Sequence, residues 1–261
     1  MIISLQNQYS LVGGASQGLG KAVAMQLAAS GATVTVMARN EEALKSLVKE
    51  LPAPHQQTHQ YLVVDFGDFT SFMGIIEKYF QTNRVDILVN NTNGPKAGTV
   101  LEKNYADYQE AFSLLFQTVQ HTTALAIPSM KEKGYGRIIN LTSRTVKEPA
   151  DNLALSNAIR AAVATWGKTL SRDVAKYNIT VNNILTGNFD TARLKQLFQL
   201  QAEAKGIPLE TIVAAAEAEI PIQRLGKPEE LANMVTFLAS PQASYVTGTS
   251  IAIDGGLLKS V

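Results

Sequence analysis

Residues 9–20 read YSLVGGASQGLG, in which a short apolar strand pattern runs into a glycine-rich turn. An amphipathic helix pattern begins directly afterwards, near Lys21. Glycines in such a turn let the backbone approach a pyrophosphate, whose charge is favoured by the free N–H groups and the dipole of a helix N-terminus. A tight strand-to-helix turn without a ligand would look similar. Because the turn joins the first strand to its helix in a chain of βα units, the pattern favours nucleotide binding.

Short β-branched runs alternate with longer helical patterns along nearly the whole chain. This alternation predicts an α/β fold, in which helices cover both faces of a parallel sheet. The predicted strands span residues 9–12, 32–38, 60–65, 85–90, 137–142, 179–185 and 250–253. The predicted helices span residues 18–30, 41–51, 69–80, 105–133, 152–177, 191–201 and 228–239. Because no linker, repeat or low-complexity tract divides the sequence, we expect a single domain over residues 1–261.

Residues 187–224 depart from this alternation. They follow the sixth predicted strand and carry alanine-rich helical segments, such as residues 211–219, before the last strand begins. In an open α/β sheet the ligand lies at the carboxyl ends of the strands, and this segment leaves from one of those ends. We therefore expect residues 187–224 to form an insertion that acts as a lid over the substrate.

The composition limits the classes of function. Of the 261 residues, 46% are hydrophobic and 17% are charged, and 23 basic side chains against 22 acidic ones give a formal net charge of +1. Without a run of Lys or Arg, the chain lacks the charge pattern that favours nucleic acid or anionic membranes. It has no stretch of ~20 apolar residues and no basic segment leading into an apolar one at its N-terminus. We therefore expect a soluble, cytoplasmic protein that acts on a small molecule.

The sequence gives little support for a metal site or for chemistry that depends on cysteine. There is no Cys, which rules out disulfides, thiolate zinc sites and a cysteine nucleophile. The three histidines, His55, His59 and His121, do not show the spacing of metal ligands. We expect no metal site.

Several separate blocks resemble the short-chain dehydrogenase/reductase superfamily, and residues 9–257 are similar to its 3-oxoacyl-[acyl-carrier-protein] reductase branch. The blocks are the loop at 14–20 with its Gly14-xxx-Gly18-x-Gly20 spacing, NNTNG at 90–94, VNNILTG at 181–187, RLGKPEE at 224–230, YVTG at 245–248 and DGG at 254–256. The resemblance implies a Rossmann-type, doubly wound sheet of seven strands in the order 3-2-1-4-5-6-7, with an NAD(P)(H) site. It also implies an assembly, usually a homotetramer, with a homodimer as the alternative.

The end of the second predicted strand bears on which dinucleotide binds. The stretch VMARN at 36–40 places Arg39 there, without a carboxylate. An acidic residue would bond the ribose diol of NAD, whereas Arg suits the 2′-phosphate of NADP, so NADP(H) is favoured over NAD(H). The alternative is a solvated Arg39 near a helix N-cap. Gln17 stands where NADP-preferring members of the family often have a basic residue.

The resemblance also assigns individual cofactor contacts. Asp65 matches the position beside the adenine, Thr186 replaces the proline of the family block, and Thr191 lies where a contact with the nicotinamide amide is expected. The complete set of expected cofactor-binding residues is Gly14, Ser16, Gln17, Gly18, Leu19, Gly20, Arg39, Asp65, Asn91, Arg160, Thr186 and Thr191.

Catalysis in that family uses an Asn, a Ser, a Tyr and a Lys. Ser143, at the end of the fifth predicted strand, matches the serine that polarises the carbonyl. The tyrosine position, thirteen residues on, holds Ser156, and the lysine position holds Arg160. The asparagine position falls on Leu115. The resemblance therefore implies a site that keeps only the serine of the four.

These departures remove the usual proton donor. A phenol, with a reference pKa of about 10, can be tuned towards neutrality by a nearby cation, whereas an aliphatic hydroxyl cannot. Arg160 stays protonated at any working pH, so it can hold ribose hydroxyls or an anionic substrate but is a poor proton donor. A partly desolvated Lys147, just past Ser143, could act as the acid.

We hypothesise that Arg144, Lys147 and Arg160 make the pocket electropositive, which would favour an anionic or enolizable substrate. Solvated loop charges are the alternative for the first two. The first interpretation is an NAD(P)(H)-dependent oxidoreductase of a small, 3-oxoacyl-like carbonyl or hydroxyl compound, with Ser143, Ser156, Arg160 and Lys147 as catalytic residues. Two alternatives keep the fold: a hydrolase or lyase that stabilises the enolate of an activated ketone, and a non-catalytic dinucleotide-binding protein.

Overall fold

A computed structural model describes residues 2–260 and contains one parallel sheet with helices on both faces. The strands are β1 (Tyr9–Val12), β2 (Thr33–Ala38), β3 (Gln60–Val63), β4 (Ile87–Asn90), β5 (Gly136–Leu141), β6 (Ile179–Thr186) and β7 (Ser250–Ile253). Their order is β3-β2-β1-β4-β5-β6-β7, and every neighbouring pair is parallel. The predicted single Rossmann-type α/β domain with seven strands is confirmed.

The described residues form nine α-helices, of which all but the seventh and eighth pack over the sheet. They are α1 (Gly18–Ala29), α2 (Glu41–Glu50), α3 (Phe69–Phe80), α4 (Tyr105–Phe112), α5 (Thr118–Lys133), α6 (Ala154–Val174), α7 (Ala192–Lys205), α8 (Leu209–Glu219) and α9 (Pro228–Ala239). On one face of the sheet α1, α2 and α9 share a core that includes Leu27 and Val235. On the other face α3 to α6 share a core that includes Phe72 and Met130. Because both faces are covered, β4 and β5 are buried along their whole length.

The predicted helix 105–133 is interrupted. A π-helical turn, Ser113–Gln117, separates α4 from α5 and contains the buried Leu115. Apolar periodicity did not predict this turn, because each flanking segment keeps its apolar face towards the sheet. Such π turns are rare and often lie at functional sites. The predicted helix 152–177 is shorter, since α6 ends at Val174 and a 3₁₀ turn follows.

Residues 187–224 form an excursion from the sheet, and the two ends of this excursion are joined to each other. Phe189 pairs with Gly226 in an isolated parallel bridge, and the Asp190 N–H donates to the Gly226 carbonyl at 2.8 Å. Between these points α7 and α8 pack on each other around Phe198 and Ile212, in a cluster separate from the two main cores. An excursion with its own small core agrees with an insertion. The lid function of this segment stays a prediction.

Three buried asparagines form an amide ladder across the centre of the sheet. Asn90 pairs in register with Asn140, and Asn140 with Asn183. Nδ2 of Asn90 donates to Oδ1 of Asn140 at 2.8 Å, and Nδ2 of Asn140 donates to Oδ1 of Asn183 at 3.0 Å. α6 lies directly on this ladder at Gly167, where an added Cβ would lie 3.0 Å from Oδ1 of Asn183. The ladder therefore sets the height of α6 above the sheet.

Within residues 2–260, no helix combines the length and the apolar character needed to cross a membrane. In the same range, no group of three His, Asp or Glu side chains is arranged to hold a metal ion.

Candidate active site

A cleft of about 520 Å³ lies at the carboxyl ends of the strands. Its walls include residues at or just after the ends of all six strands from β1 to β6. The lining residues are Gly14, Ser16, Gln17, Gly18, Leu19, Ala38, Arg39, Asn40, Ala43, Phe66, Asn91, Thr92, Asn93, Gly94, Leu141, Thr142, Arg160, Thr186, Thr191, Ala192 and Arg193. This is the crevice in which open α/β sheets bind their ligands.

The glycine-rich loop forms one wall of the cleft in a conformation that needs glycine. Gly14 has φ +56° and Gly18 has φ +57°, in the left-handed region that side chains disfavour. A Cβ on Gly14 would lie 2.7 Å from Nδ2 of Asn91, and that nitrogen donates to the Gly13 carbonyl at 3.1 Å. Asn91 therefore braces the loop with the amide that the resemblance assigned to the cofactor.

The N-terminus of α1 opens into the cleft. Its N-cap, Gln17, is extended, and no side chain in the described part of the chain caps the helix. The N–H groups of the first turn are therefore available to an anion. Gly20 lies behind the loop, where a Cβ would clash with the Gly14 carbonyl, so it packs the helix on the loop instead of lining the cleft. A bare helix N-terminus beneath a close-packed glycine loop fits the diphosphate of a dinucleotide.

Arg39 lines the end of the cleft beside β2 and is exposed. The structure does not place Asp65 in this wall. Its carboxylate is exposed and accepts a hydrogen bond from the Gly67 N–H at 2.9 Å, which caps the turn after β3, while the neighbouring Phe66 lines the cleft. The contact of Asp65 with the adenine stays a prediction, because Asp65 is not among the residues that line the cleft and its carboxylate is engaged in the turn.

A second cavity, of about 270 Å³, adjoins the far end of the cleft. Ser143 and Ser156 line it, and Arg160 lines both cavities. The Ser143 hydroxyl oxygen accepts from the Thr145 N–H at 3.2 Å, which leaves its O–H free to donate. The structure thus brings three of the four predicted catalytic residues to one wall.

Arg160 is the charged residue of this wall, and its surroundings lower its pKa. It projects from α6, is partly buried, and donates from Nη1 to the Leu141 carbonyl at 2.9 Å. No carboxylate within residues 2–260 lies within salt-bridge distance of it. Desolvation lowers the pKa of Arg160 to about 10, which still leaves the side chain charged at neutral pH.

The other two predicted cations do not reach the pocket. Lys147 is exposed and lines neither cavity, and Arg144 lines neither cavity. The hypothesis that Lys147 is partly desolvated and acts as the acid is therefore wrong. The 3₁₀ turn after Ser143 places this side chain at the surface. Sequence reasoning missed Arg193, which lines both cavities from the first turn of α7. The signal available was its position two residues after Thr191.

Neither cavity is lined by a phenol from the described residues. In the part of the chain that the structure describes, no Tyr, Lys or His lines either cavity. Tyr135 lies near the amino ends of the strands, donates to the Ala239 carbonyl, and has its pKa raised to about 12 by burial. Leu115 borders a void of about 10 Å³ beside Asn140 and Arg160, at the position where the resemblance places an asparagine.

Three threonines, Thr142, Thr186 and Thr191, line both cavities, and the last two are predicted cofactor contacts. Thr186 ends β6, and its hydroxyl donates to the Thr142 carbonyl at 3.0 Å. Thr191 is the N-cap of α7, and its hydroxyl oxygen accepts from the Leu194 N–H at 3.2 Å. The O–H of Thr191 remains available to a ligand, whereas that of Thr186 is used within the protein.

Comparisons with known proteins agree with this geometry. The family model described as Enoyl-(Acyl carrier protein) reductase matches residues 14–258. The NADPH-dependent reductase BacG of Bacillus subtilis is 33% identical over 261 residues, covering 98% of this chain and 100% of the relative. The 3-oxoacyl-[acyl-carrier-protein] reductase FabG of Thermotoga maritima is 32% identical over 257 residues, covering 97% and 99%.

Solved structures of reductases superpose on the whole chain. YwfH, an NADPH-dependent reductase involved in bacilysin biosynthesis, is 32% identical with a TM-score of 0.91, covering 97% of this chain and 99% of its own. L-sorbose reductase from Gluconobacter frateurii, in complex with NADPH and L-sorbose, is 27% identical with a TM-score of 0.93, covering both chains completely at 100% each.

Proposed function

Since this chain belongs to the short-chain dehydrogenase/reductase superfamily and is similar to its 3-oxoacyl-[acyl-carrier-protein] reductases, we propose that it is an NADP(H)-dependent oxidoreductase of small carbonyl or hydroxyl compounds with an altered proton-transfer site. One observation carries the proposal. The cleft beneath the glycine-rich loop and the second cavity share a wall, because Leu19, Thr191 and Arg160 line both.

The chain's own groups suit each part of the dinucleotide. The free N–H groups at the start of α1 bind the diphosphate, and the exposed guanidinium of Arg39 binds the 2′-phosphate that distinguishes NADP from NAD. Thr191, at the junction of the cavities, orients the nicotinamide through its free O–H. When bound there, NADPH supplies a hydride.

Hydroxyl groups hold the reacting oxygen of the substrate. Ser143 and Ser156 line the second cavity, and each can donate its O–H to a carbonyl oxygen. Their donation polarises the carbonyl without transferring a proton, since an aliphatic hydroxyl does not titrate near neutrality. Arg160 adds a fixed positive charge beside them. The proton that completes a reduction comes from water that enters the cavity.

A nucleotide titration tests the first half of this proposal. We expect NADPH to bind with a fluorescence change and Arg39→Ala to weaken that binding about tenfold, since a charge-assisted hydrogen bond at an exposed site contributes about 1.4 kcal/mol. The affinity for NADH should stay within about twofold, because NADH lacks the 2′-phosphate.

Arg172→Ala is the matched control, because Arg172 is also an exposed arginine but lines neither cavity. It should leave both affinities unchanged. The absence of NADPH binding to the unmodified protein would reject the proposed function, and equal losses for NADPH and NADH in Arg39→Ala would reject the role of Arg39.

A second candidate is a non-catalytic protein that binds NADPH, and a specific observation favours it. The resemblance assigns Leu115, Ser156 and Arg160 to the positions of three catalytic groups of the family, and none of these side chains is a proton donor at neutral pH. A panel of small aldehydes, ketones and oxo acids separates the two functions. Consumption of NADPH with any member supports the oxidoreductase, whereas tight NADPH binding without consumption supports the second candidate.

A further inference from the structure

Arg160 presents an unneutralised charge to the substrate cavity. A guanidinium has five N–H donors, and within residues 2–260 this one makes a single hydrogen bond, to the Leu141 carbonyl. Burial of a cation without a counter-ion is unfavourable, so natural proteins pair such groups with an anion or keep them in water. Within residues 2–260 no carboxylate supplies that anion. The ligand is the remaining source of a negative charge.

The walls of the second cavity favour the same sign of ligand charge. Its charged lining residues are Arg160 and Arg193, and the described residues that line it include no Asp or Glu. Arg193 is exposed and lies in the first turn of α7, at the base of the excursion that the sequence predicts to be a lid. One guanidinium is therefore fixed in the wall of the cavity, and another lies at its mouth.

The phosphates of the dinucleotide do not account for Arg160. Neighbouring strands lie about 4.8 Å apart. The glycine-rich loop follows β1 and Arg39 follows β2, whereas Arg160 bonds to Leu141 at the end of β5. In the order β2-β1-β4-β5, Arg160 is three strand spacings from Arg39, or about 14 Å, and two from the loop, or about 10 Å. The phosphates bind at the other end of the cleft.

We propose that the substrate of this site is a small oxo carboxylic acid whose carboxylate is bound by Arg160, with Arg193 adding a second contact from α7. This inference rests on the proposed function and names its substrate class. A planar guanidinium matches the two oxygens of a carboxylate, and one desolvated positive charge matches one negative charge. Ser143 and Ser156 are left for the oxo group. A neutral acyl thioester would leave Arg160 uncompensated.

The size of the cavity limits the acid. Its volume of about 270 Å³ is at or below the lower end of the ~300–1,000 Å³ range of pockets for drug-sized ligands. Leu153, Leu194 and Leu197 give it an apolar side. The fitting molecule is thus a short oxo acid with an apolar substituent.

Binding to the full-length protein with saturating NADP⁺ tests the inference without turnover. The probes are 2-oxobutanoate, 3-oxobutanoate and 2-oxo-3-phenylpropanoate, each compared with its methyl ester by calorimetry. We expect at least one acid to bind at least about tenfold more tightly than its ester, which matches a charge-assisted contact. This preference should disappear in Arg160→Met, fall severalfold in Arg193→Met, and persist in the control Arg172→Met.

Arg160→Lys keeps the charge without the planar fork, so it should retain part of the preference, and circular dichroism establishes that each variant is folded. Equal binding of acids and esters, no binding of any acid, or an acid preference that survives in Arg160→Met would overturn the inference. The NADPH titration stands apart from these results. Nucleotide binding without acid preference rejects this inference alone, whereas no nucleotide binding rejects the proposed function.

Discussion

Arg160 contributes a charge that no carboxylate among the described residues, 2–260, neutralises. Because its pKa is lowered to about 10, the folded protein binds a proton there less tightly than the unfolded chain does. The charge therefore destabilises the fold at neutral pH. A protein retains such a group when a ligand uses it, and this is the usual trade between stability and activity at a functional site.

Replacement of Arg160 by Met should leave the free energy of unfolding unchanged or raise it by about 1 kcal/mol at neutral pH, since a partly buried cation without a carboxylate partner among residues 2–260 gives way to an apolar chain of similar length. The folded-state pKa lies below the unfolded one, so the penalty is present at neutral pH and fades as the pH rises through about 10. The difference between variant and unmodified protein should shrink over that range. Urea unfolding, followed by the fluorescence of the single Trp, Trp166, measures the change in unfolding free energy at neutral pH and its decrease at higher pH. A large loss of stability at neutral pH would contradict this account.

Gly14 offers a second test at the scale of one residue. Gly14→Ala places a side chain at φ +56° and brings Cβ to 2.7 Å from Nδ2 of Asn91. We expect a loss of about 1–2 kcal/mol of unfolding free energy together with weaker NADPH binding. Gly74→Ala is the matched control, because Gly74 lies within α3 with nothing within 4 Å of an added Cβ. This control should gain about 0.5–1 kcal/mol. A shift of both variants in the same direction would be inconsistent with the strain at Gly14.

At the scale of the element, α7 links the junction of the two cavities to the excursion. Thr191 caps this helix, and a Cβ on Gly18 would lie 3.4 Å from its Cγ2, so the helix start lies against the glycine-rich loop. The next turns pack on α8 through Phe198 and not on the main cores. α7 is thus held at its start by the site and elsewhere by a small cluster. This is the arrangement expected of a segment that opens locally.

Thr191→Val should loosen α7, because the side chain loses the oxygen that accepts from the Leu194 N–H, a contact worth about 1 kcal/mol. Thr191→Ser keeps that oxygen and should behave like the unmodified protein. Hydrogen exchange of residues 192–205 measures the difference, and NADPH affinity should fall in the Val variant alone. Equal exchange rates in the two variants would show that the cap does not hold this helix.

At the scale of the whole molecule, the amide ladder connects the sheet to the site. Asn90, Asn140 and Asn183 cross from β4 to β6, and Gly167 seats α6 on them. α6 in turn carries the serine and the arginine of the second cavity. A satisfied polar network inside an apolar core fixes one register, because any shift would leave buried amides unpaired.

Asn140→Ala removes the middle of the ladder. It leaves Oδ1 of Asn183 without the hydrogen bond from Nδ2 of Asn140 and one donor of Asn90 without a partner, both in a buried setting. We expect a loss of roughly 2–4 kcal/mol of unfolding free energy, measured in urea by Trp166 fluorescence. Gln242→Ala deletes an exposed amide and should stay within about 0.5 kcal/mol of the unmodified protein. If the unfolding free energy of Asn140→Ala also stayed within about 0.5 kcal/mol of the unmodified protein, the ladder would not be needed for stability.

Much of this fold could be predicted from the sequence, because local signals agreed with each other. Apolar runs marked β4 and β5, and the glycine spacing marked the loop that forms a wall of the cleft. Ser143, Ser156 and Arg160 could be placed near one another, since they follow β5 or lie one helical turn apart on α6. The π turn at Ser113–Gln117 could not be predicted from the sequence, because it leaves the apolar faces of both flanking helices intact.

The sequence by itself determined the α/β class and the position of a nucleotide loop, since strand and helix periods and a glycine turn are read within a few residues of chain. Only the tertiary structure decided which charged residues line the second cavity. Lys147 is close to Ser143 in sequence and points to solvent, whereas Arg193, fifty residues away, lines the cavity. The reason is physical: the direction of a side chain on a loop is set by the packing of distant segments, and no local pattern records it.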